Sequence, residues 1–222
     1  MTSEVNEEPV ARSAVGLLAV ISAGTAFGVL LVLVRVKWRP LLTLDLYTTE
    51  ELNEEVSRHH ALVLLLRAVT NLGGPLFVTA LVTVAVVVLL WRRRVRAAAF
   101  LAVTGIGGLI LSPVLKALVG RLRPVVEVPL QTASGNSFPS GHALGATIAY
   151  GSLLLVFLPL LPSRFRPYAI GLVVALVVAV AFTRVALGVH YVSDVVGGIL
   201  LGAAWLGVVA WAFRDLGRFR PK

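Results

Sequence analysis

The sequence predicts an all-α membrane protein with six spans, and three observations carry that prediction. Hydrophobic residues fill 58% of the 222 positions and charged residues only 14%, far from the averages of soluble domains. Apolar runs long enough to cross a bilayer as a helix, about 20 residues each, recur six times. The remaining cations gather between those runs, which argues against a nucleic-acid-binding face. A single domain over residues 1–222 suits this length and pattern. Cysteine is absent, so disulfides, thiolate metal ligands and a cysteine nucleophile drop out.

The six runs are residues 14–34, 61–90, 97–115, 141–160, 168–188 and 194–213. The first follows an acidic stretch (Glu4, Glu7, Glu8) and is too long for the apolar core of a secretion signal, so it reads as a retained span. The second is overlong and holds Arg67, Asn71 and Gly73-Gly74-Pro75 in its first half. A tilted or interfacial start is expected there, with Arg67 reaching back to the headgroups. Just before it, Glu54, Glu55 and Arg58 beside His59 and His60 suggest a polar interfacial helix without the ligand spacing of a metal site.

Orientation follows from arginine and lysine in the short loops. Arg92, Arg93, Arg94 and Arg96 separate the second and third runs, Arg164 and Arg166 the fourth and fifth, and Arg214, Arg218, Arg220 and Lys222 close the chain. Six spans put all three groups on one face, expected to be cytoplasmic. Residues 1–13 and the basic stretch 214–222 are then cytoplasmic tails. Residues 35–60 fall opposite as a non-cytoplasmic interfacial segment, in which Arg35, Lys37, Arg39 and Arg58 nearly balance Asp45, Glu50, Glu51, Glu54 and Glu55.

This topology brings three polar clusters to the non-cytoplasmic face: Lys116 with Arg123-Pro124, then Pro139-Ser140-Gly141-His142, then Arg184 with His190 and Asp194. Ionisable residues at membrane depth are costly and mark function. The second cluster looks like a helix start, with Pro139 at or near the first helical position and Gly141 letting an anion approach the unpaired N–H groups. Ser140 adds a hydroxyl donor. The competing reading is a packing helix, since Gly141 and Gly145 have GxxxG spacing.

Lys116, Arg123 and Arg184 are each explicable as snorkelling cations when taken singly. Converging on one face, they repel unless an anion joins them. Arginine's fork matches phosphate oxygens in pairs, and lysine acts as a point charge. Arg121, in the same stretch, is a weaker candidate. His190 and Asp194 are four apart, so on a helix they share a face, and the carboxylate can hold the imidazole's tautomer. Gly188 is placed to end the fifth helix, leaving His190 near the start of the sixth, where the dipole disfavours protonation. The alternative is an Asp–His pair that only satisfies itself. His142 can protonate a leaving oxygen.

The pattern Lys116-x6-Arg123-Pro124, Pro139-Ser140-Gly141-His142 and Arg184-x5-His190-x3-Asp194 resembles the three-part signature of the type 2 phosphatidic acid phosphatase (PAP2) superfamily. That superfamily includes lipid phosphate phosphatases, undecaprenyl diphosphate phosphatases and vanadium haloperoxidases. The signature covers residues 116–194; the chain up to about residue 60 is matched by topology alone. The resemblance implies a PAP2/haloperoxidase-like six-helix bundle and hydrolysis without metal or other cofactor. It implies His190 as nucleophile, Asp194 as its partner and His142 as the acid. Lys116, Arg123, Ser140, Gly141 and Arg184 are implied to bind phosphate. The family often has serine before the third-motif arginine; here it is Thr183. Arginine-rich usage adds a bacterial source, hence the bacterial plasma membrane. The expected reaction is removal of the terminal phosphate from a lipid of the outer leaflet. Undecaprenyl (polyprenyl) diphosphate is the first expectation; phosphatidic acid or phosphatidylglycerophosphate is the second. A protein that binds or transports phospholipid without hydrolysis is the alternative of another class, and paired histidines with Asp194 argue against it.

Overall fold

A computed structural model describes residues 7–214, which form eight α-helices, two short 3₁₀ turns and no strand. Of the expected tails 1–13 and 214–222, residues 1–6 and 215–222 lie outside these residues, whereas Glu7 to Ser13 belong to the first helix. The helices are α1 (Glu7–Arg35), α2 (Arg39–Ser57), α3 (His60–Asn71), α4 (Pro75–Trp91), α5 (Val95–Val119), α6 (Gly141–Phe157), α7 (Arg166–Ala186) and α8 (Val192–Ala212). Among the described residues, six stretches are long and apolar enough to cross a membrane, with α3 and α4 together making one of them. The chain is a multi-pass, all-helical membrane protein.

The second run is not one helix. It breaks after Asn71, and Pro75 opens α4 behind the N-cap Gly74, a position where a missing N–H costs nothing. Arg67 does not reach for headgroups either. Its Nε and Nη2 donate to the carbonyl of Leu130 at 3.1 and 2.5 Å, because the loop between α5 and α6 folds over α3 and offers a nearer acceptor. The polar strip after α1 does form a helix. Glu54 and Glu55 pair with Arg58 on its exposed side, while Asp45, Thr49, Asn53 and Val56 are buried at helical spacing.

Two apolar clusters hold the ends of the bundle. One is built on Leu89, Phe100, Leu101, Ala149 and Val209 and ties α4, α5, α6 and α8 together. The other joins Val56, Val63 and Leu66 of α2 and α3 to Leu130, Leu187 and Val189, which fixes the turn between α7 and α8. The helix starts of α6 and α8 come unusually close. A Cβ at Gly198 would lie 2.6 Å from the carbonyl oxygen of Ser140, so only glycine permits this approach. The close packing therefore comes from α8, whereas Cβ atoms at Gly141 and Gly145 would stand at 3.1 and 3.5 Å from their nearest neighbours.

Candidate active site

Four helix ends meet at one end of the bundle: the last turns of α5 and α7 and the first turns of α6 and α8. They carry Lys116, Arg184, Ser140 to His142, and Asp194 in that order, with Arg123 and His190 in the adjoining loops. His142 lies within electrostatic range of Arg184, His190, Lys116 and Arg123. All eight residues singled out by the sequence thus face a common region.

Gly188 ends α7 and leaves His190 just before α8, as expected, but the way His190 meets Asp194 differs from the expectation. His190 precedes α8 and does not share a helical face with Asp194. Gly188, at φ +73°, reverses the chain after α7, and a Cβ there would meet Asn53 and Val126 at 2.9 Å, so glycine is required twice over. The N–H groups of Val189 and His190 both return to the carbonyl of Arg184 at 3.2 Å. Asp194 then folds back over the helix start. Its Oδ2 accepts from the Tyr191 N–H at 2.9 Å, from His190 Nδ1 at 3.3 Å and from the Ser137 hydroxyl. The pair forms through capping of α8 rather than through a shared stripe.

The tautomer of His190 can be deduced. Arg123 Nη1 lies 3.2 Å from His190 Nε2, and a guanidinium can only donate. Nε2 is therefore the acceptor with its lone pair outward, and the ring proton sits on Nδ1, directed at Asp194. Only 2% of His190 is exposed. Burial lowers its pKa to about 4, with the Asp194 hydrogen bond opposing the shift and the Arg123 and Arg184 charges reinforcing it. Desolvation is the principal cause of a neutral imidazole here, ahead of any helix dipole.

The cations divide into two kinds. Arg123 donates to neutral acceptors: the carbonyls of Gly135, Ser134 and Val189 at 3.0, 3.0 and 2.7 Å, besides the imidazole. Arg184 is buried, with Nη1 on Thr70 Oγ1 at 2.8 Å and Gln131 Oε1 at 3.1 Å, and its Nε has no partner among the described residues. Arg121 instead bonds two carboxylates, Asp194 and Asp45; its charge is spent within the protein. Burial draws the Arg123 pKa down, partly offset by Asp194.

Ser140 is the N-cap of α6 in an extended conformation, so Pro139 stands one residue outside the helix rather than at its first position. The shift arises because the Ser140 N–H is taken by the carbonyl of Asp194 at 2.9 Å. The Ser140 hydroxyl is buried and has no partner among the described residues, which leaves its proton for a ligand. Thr183 does not offer one: its hydroxyl donates to the Val180 carbonyl at 2.6 Å. Unpartnered polar atoms on Ser140 and Arg184, beside the free first-turn N–H groups of α6, describe a cradle for several anionic oxygens.

Sequence reasoning did not find Asp45, Thr70, Gln131 or Ser137. Asp45 had a usable signal, since Asp45, Thr49 and Asn53 recur every four residues and mark a polar face of α2.

Comparison with known proteins agrees with this architecture. Residues 95–218 match the family model described as the PAP2 superfamily. The chain is 36% identical over 115 residues to phosphatidylglycerophosphatase B of Bacillus subtilis, covering 51% of this chain and 56% of that protein. It is 40% identical over 96 residues to decaprenylphosphoryl-5-phosphoribose phosphatase of Mycobacterium tuberculosis (42% and 48% covered). Against the undecaprenyl-diphosphatase of Sulfolobus acidocaldarius it is 29% identical over 143 residues (61% and 64% covered). The matched stretches span about half the length of the first two relatives. The crystal structure of a transmembrane PAP2-type phosphatidylglycerolphosphate phosphatase from Bacillus subtilis superposes with a TM-score of 0.81 at 26% identity, covering 90% of this chain and 98% of that one.

Proposed function

The chain belongs to the PAP2 superfamily, and from that premise we propose that it is a lipid phosphatase working through a phosphohistidine at His190. The observation that carries the reading is the polarity of that imidazole: a buried Nε2 lone pair directed at Arg123, with its Nδ1 proton held by Asp194.

In the first step Nε2 attacks phosphorus in line, and the bond from phosphorus to the lipid-side oxygen breaks. His142 gives its proton to that oxygen, so the lipid leaves neutral at that position. Arg123 must release the Nε2 lone pair for this to happen. An incoming phosphate oxygen supplies a better, anionic acceptor for the same guanidinium, so binding uncovers the nucleophile. In the second step water attacks phosphorus, its proton goes to His142, and the Nε2–phosphorus bond breaks to release inorganic phosphate. Lys116, Arg123, Arg184, the Ser140 hydroxyl and the N–H groups at Gly141 hold the equatorial oxygens, where transition-state charge collects. No step calls for a metal or cofactor.

For the lipid, we carry polyprenyl diphosphate, cleaved to the monophosphate, as the first substrate. The relatives named for undecaprenyl and decaprenyl lipids support it. Phosphatidylglycerophosphate is the second reading, favoured by the two Bacillus relatives. In our reading the cradle lies at the non-cytoplasmic leaflet of a bacterial plasma membrane; the arginine-rich loops at the other end of the bundle support that orientation. The test is phosphate release in detergent from undecaprenyl diphosphate, phosphatidylglycerophosphate and phosphatidic acid, wild type beside His190→Ala. Release by the wild type and a loss of about 10⁴-fold in the variant are expected. Near-normal release by folded His190→Ala would refute the mechanism. Lipid binding with no release would favour a non-catalytic binding or transport protein.

A further inference from the structure

Arg121 bridges two buried carboxylates that come from distant parts of the chain. Its Nη1 donates to Asp194 Oδ1 and its Nη2 to Asp45 Oδ2, both at 2.7 Å. Its guanidinium also lies over the Tyr191 ring at 4.2 Å. Asp45, on α2, is fully buried. Besides Arg121 it accepts from the Ser193 N–H at 2.9 Å and the Ser193 hydroxyl at 2.5 Å, 148 residues away in sequence. Ser193 in turn accepts from Arg121 Nη1 at 2.6 Å. The result is a closed row of groups, carboxylate, guanidinium, carboxylate, ending on the imidazole of His190.

The charge balance of this row bears on the reaction. A buried carboxylate that orients a reacting imidazole must remain able to stabilise the cation that forms on it. Arg121 and Asp194 alone would make a neutral pair, and the guanidinium would draw the carboxylate's electron density away from His190. The second carboxylate changes the sum: two acids and one guanidinium leave one net negative charge. That charge matches the single positive charge arising when Nε2 bonds phosphorus. In a buried site such matching is worth far more than at a wet surface.

We propose that Asp45 is a positioning residue for phosphoryl transfer, offsetting Arg121 so that Asp194 keeps a full negative charge for the His190 imidazolium. The inference rests on the phosphatase reading above. It makes α2 part of the catalytic apparatus, although no signature residue lies there.

The experiment compares wild type, Asp45→Asn, Arg121→Gln and the double variant as full chains, purified in detergent and monodisperse, with kcat and KM measured per folded enzyme. Asp45→Asn makes the row neutral, and Arg121→Gln leaves two carboxylates in mutual repulsion. The double variant restores one net negative charge. Each single change should lower kcat by about 10- to 100-fold with KM within about threefold, and the double variant should exceed both singles in kcat by about fivefold or more. A purely structural clasp would show its coupling in thermal stability and leave kcat per folded enzyme untouched. That outcome, or a double variant no faster than the slower single, would overturn the inference. If Asp45→Asn yields no monodisperse protein, Arg121→Gln against the double variant decides alone. A wild type that releases no phosphate would overturn the phosphatase reading itself; an active wild type beside an unaffected Asp45→Asn overturns only the role of Asp45.

Discussion

Arg121 and Arg123 stand two residues apart in one loop, and their surroundings could hardly differ more. Arg121 is clamped between Asp45 and Asp194 with its charge answered twice. Among the described residues, Arg123 hydrogen-bonds only to carbonyls and a neutral imidazole. The first has the environment of an internal strut. The second has its geometry fixed by neutral acceptors while its charge is left for something else. A partly buried cation therefore declares its purpose through the sign of its partners more than through its place in a motif.

The sharpest way to break this comparison is to remove each arginine's distinctive property in turn. Arg123→Ala should lower kcat/KM by about 10²- to 10³-fold and weaken inhibition by vanadate to a comparable degree, since both need the same unanswered charge. Arg121→Lys keeps a cation but can span only one of its two carboxylates. Its melting temperature should fall, by an amount corresponding to about 1–3 kcal/mol, while its vanadate inhibition constant stays close to wild type. Equal loss of vanadate affinity in both variants would erase the distinction.

A smaller effect concerns acidity. His190 must be neutral to attack, and burial places its pKa at about 4 against an ordinary 6.5. Protonation sets in only as the pH falls through the lowered value, so kcat/KM should stay level through pH 6 and drop near pH 4. A limb near 6.5 would mean a hydrated imidazole. The smallest effect belongs to Thr183→Val. Its hydroxyl is committed to the Val180 carbonyl, so steady-state phosphate release should remain within about twofold of wild type; a loss of tenfold or more would place that hydroxyl on the substrate.

Much of the site was legible because membrane topology is itself a strong constraint. Once six spans are counted, Lys116, Arg123, Ser140, Gly141, His142, Arg184, His190 and Asp194 must fall at one end of the bundle, whatever the details of packing. The details were less accessible. Gly73-Gly74-Pro75 is visible as punctuation, yet whether it tilts a span or cuts it depends on what packs there, and Val180 of α7 presses against the site of a Gly73 Cβ at 2.3 Å. The His190–Asp194 contact was foreseen through helical periodicity and instead arises from a cap, because Gly188 turns the chain before α8 begins. Arg67 was misjudged, and the partners of Arg121 went unseen, for one shared reason. Their partners, Leu130 and Asp45, are 63 and 76 residues distant, and periodicity carries no information on that scale. The polar stripe of α2 held such information but lacked a partner to interpret it.

The most direct test is chemical. Wild-type protein supplied with a ³²P-labelled lipid substrate and quenched in alkali within one turnover should carry label that is stable to base, labile to acid and located on the peptide containing His190. His142→Ala, which lacks the acid of the first step and the base of the second, should both gain and lose this label more slowly than wild type. Label on any other residue, or turnover with no protein-bound phosphate under conditions that trap it in neither protein, would contradict the account.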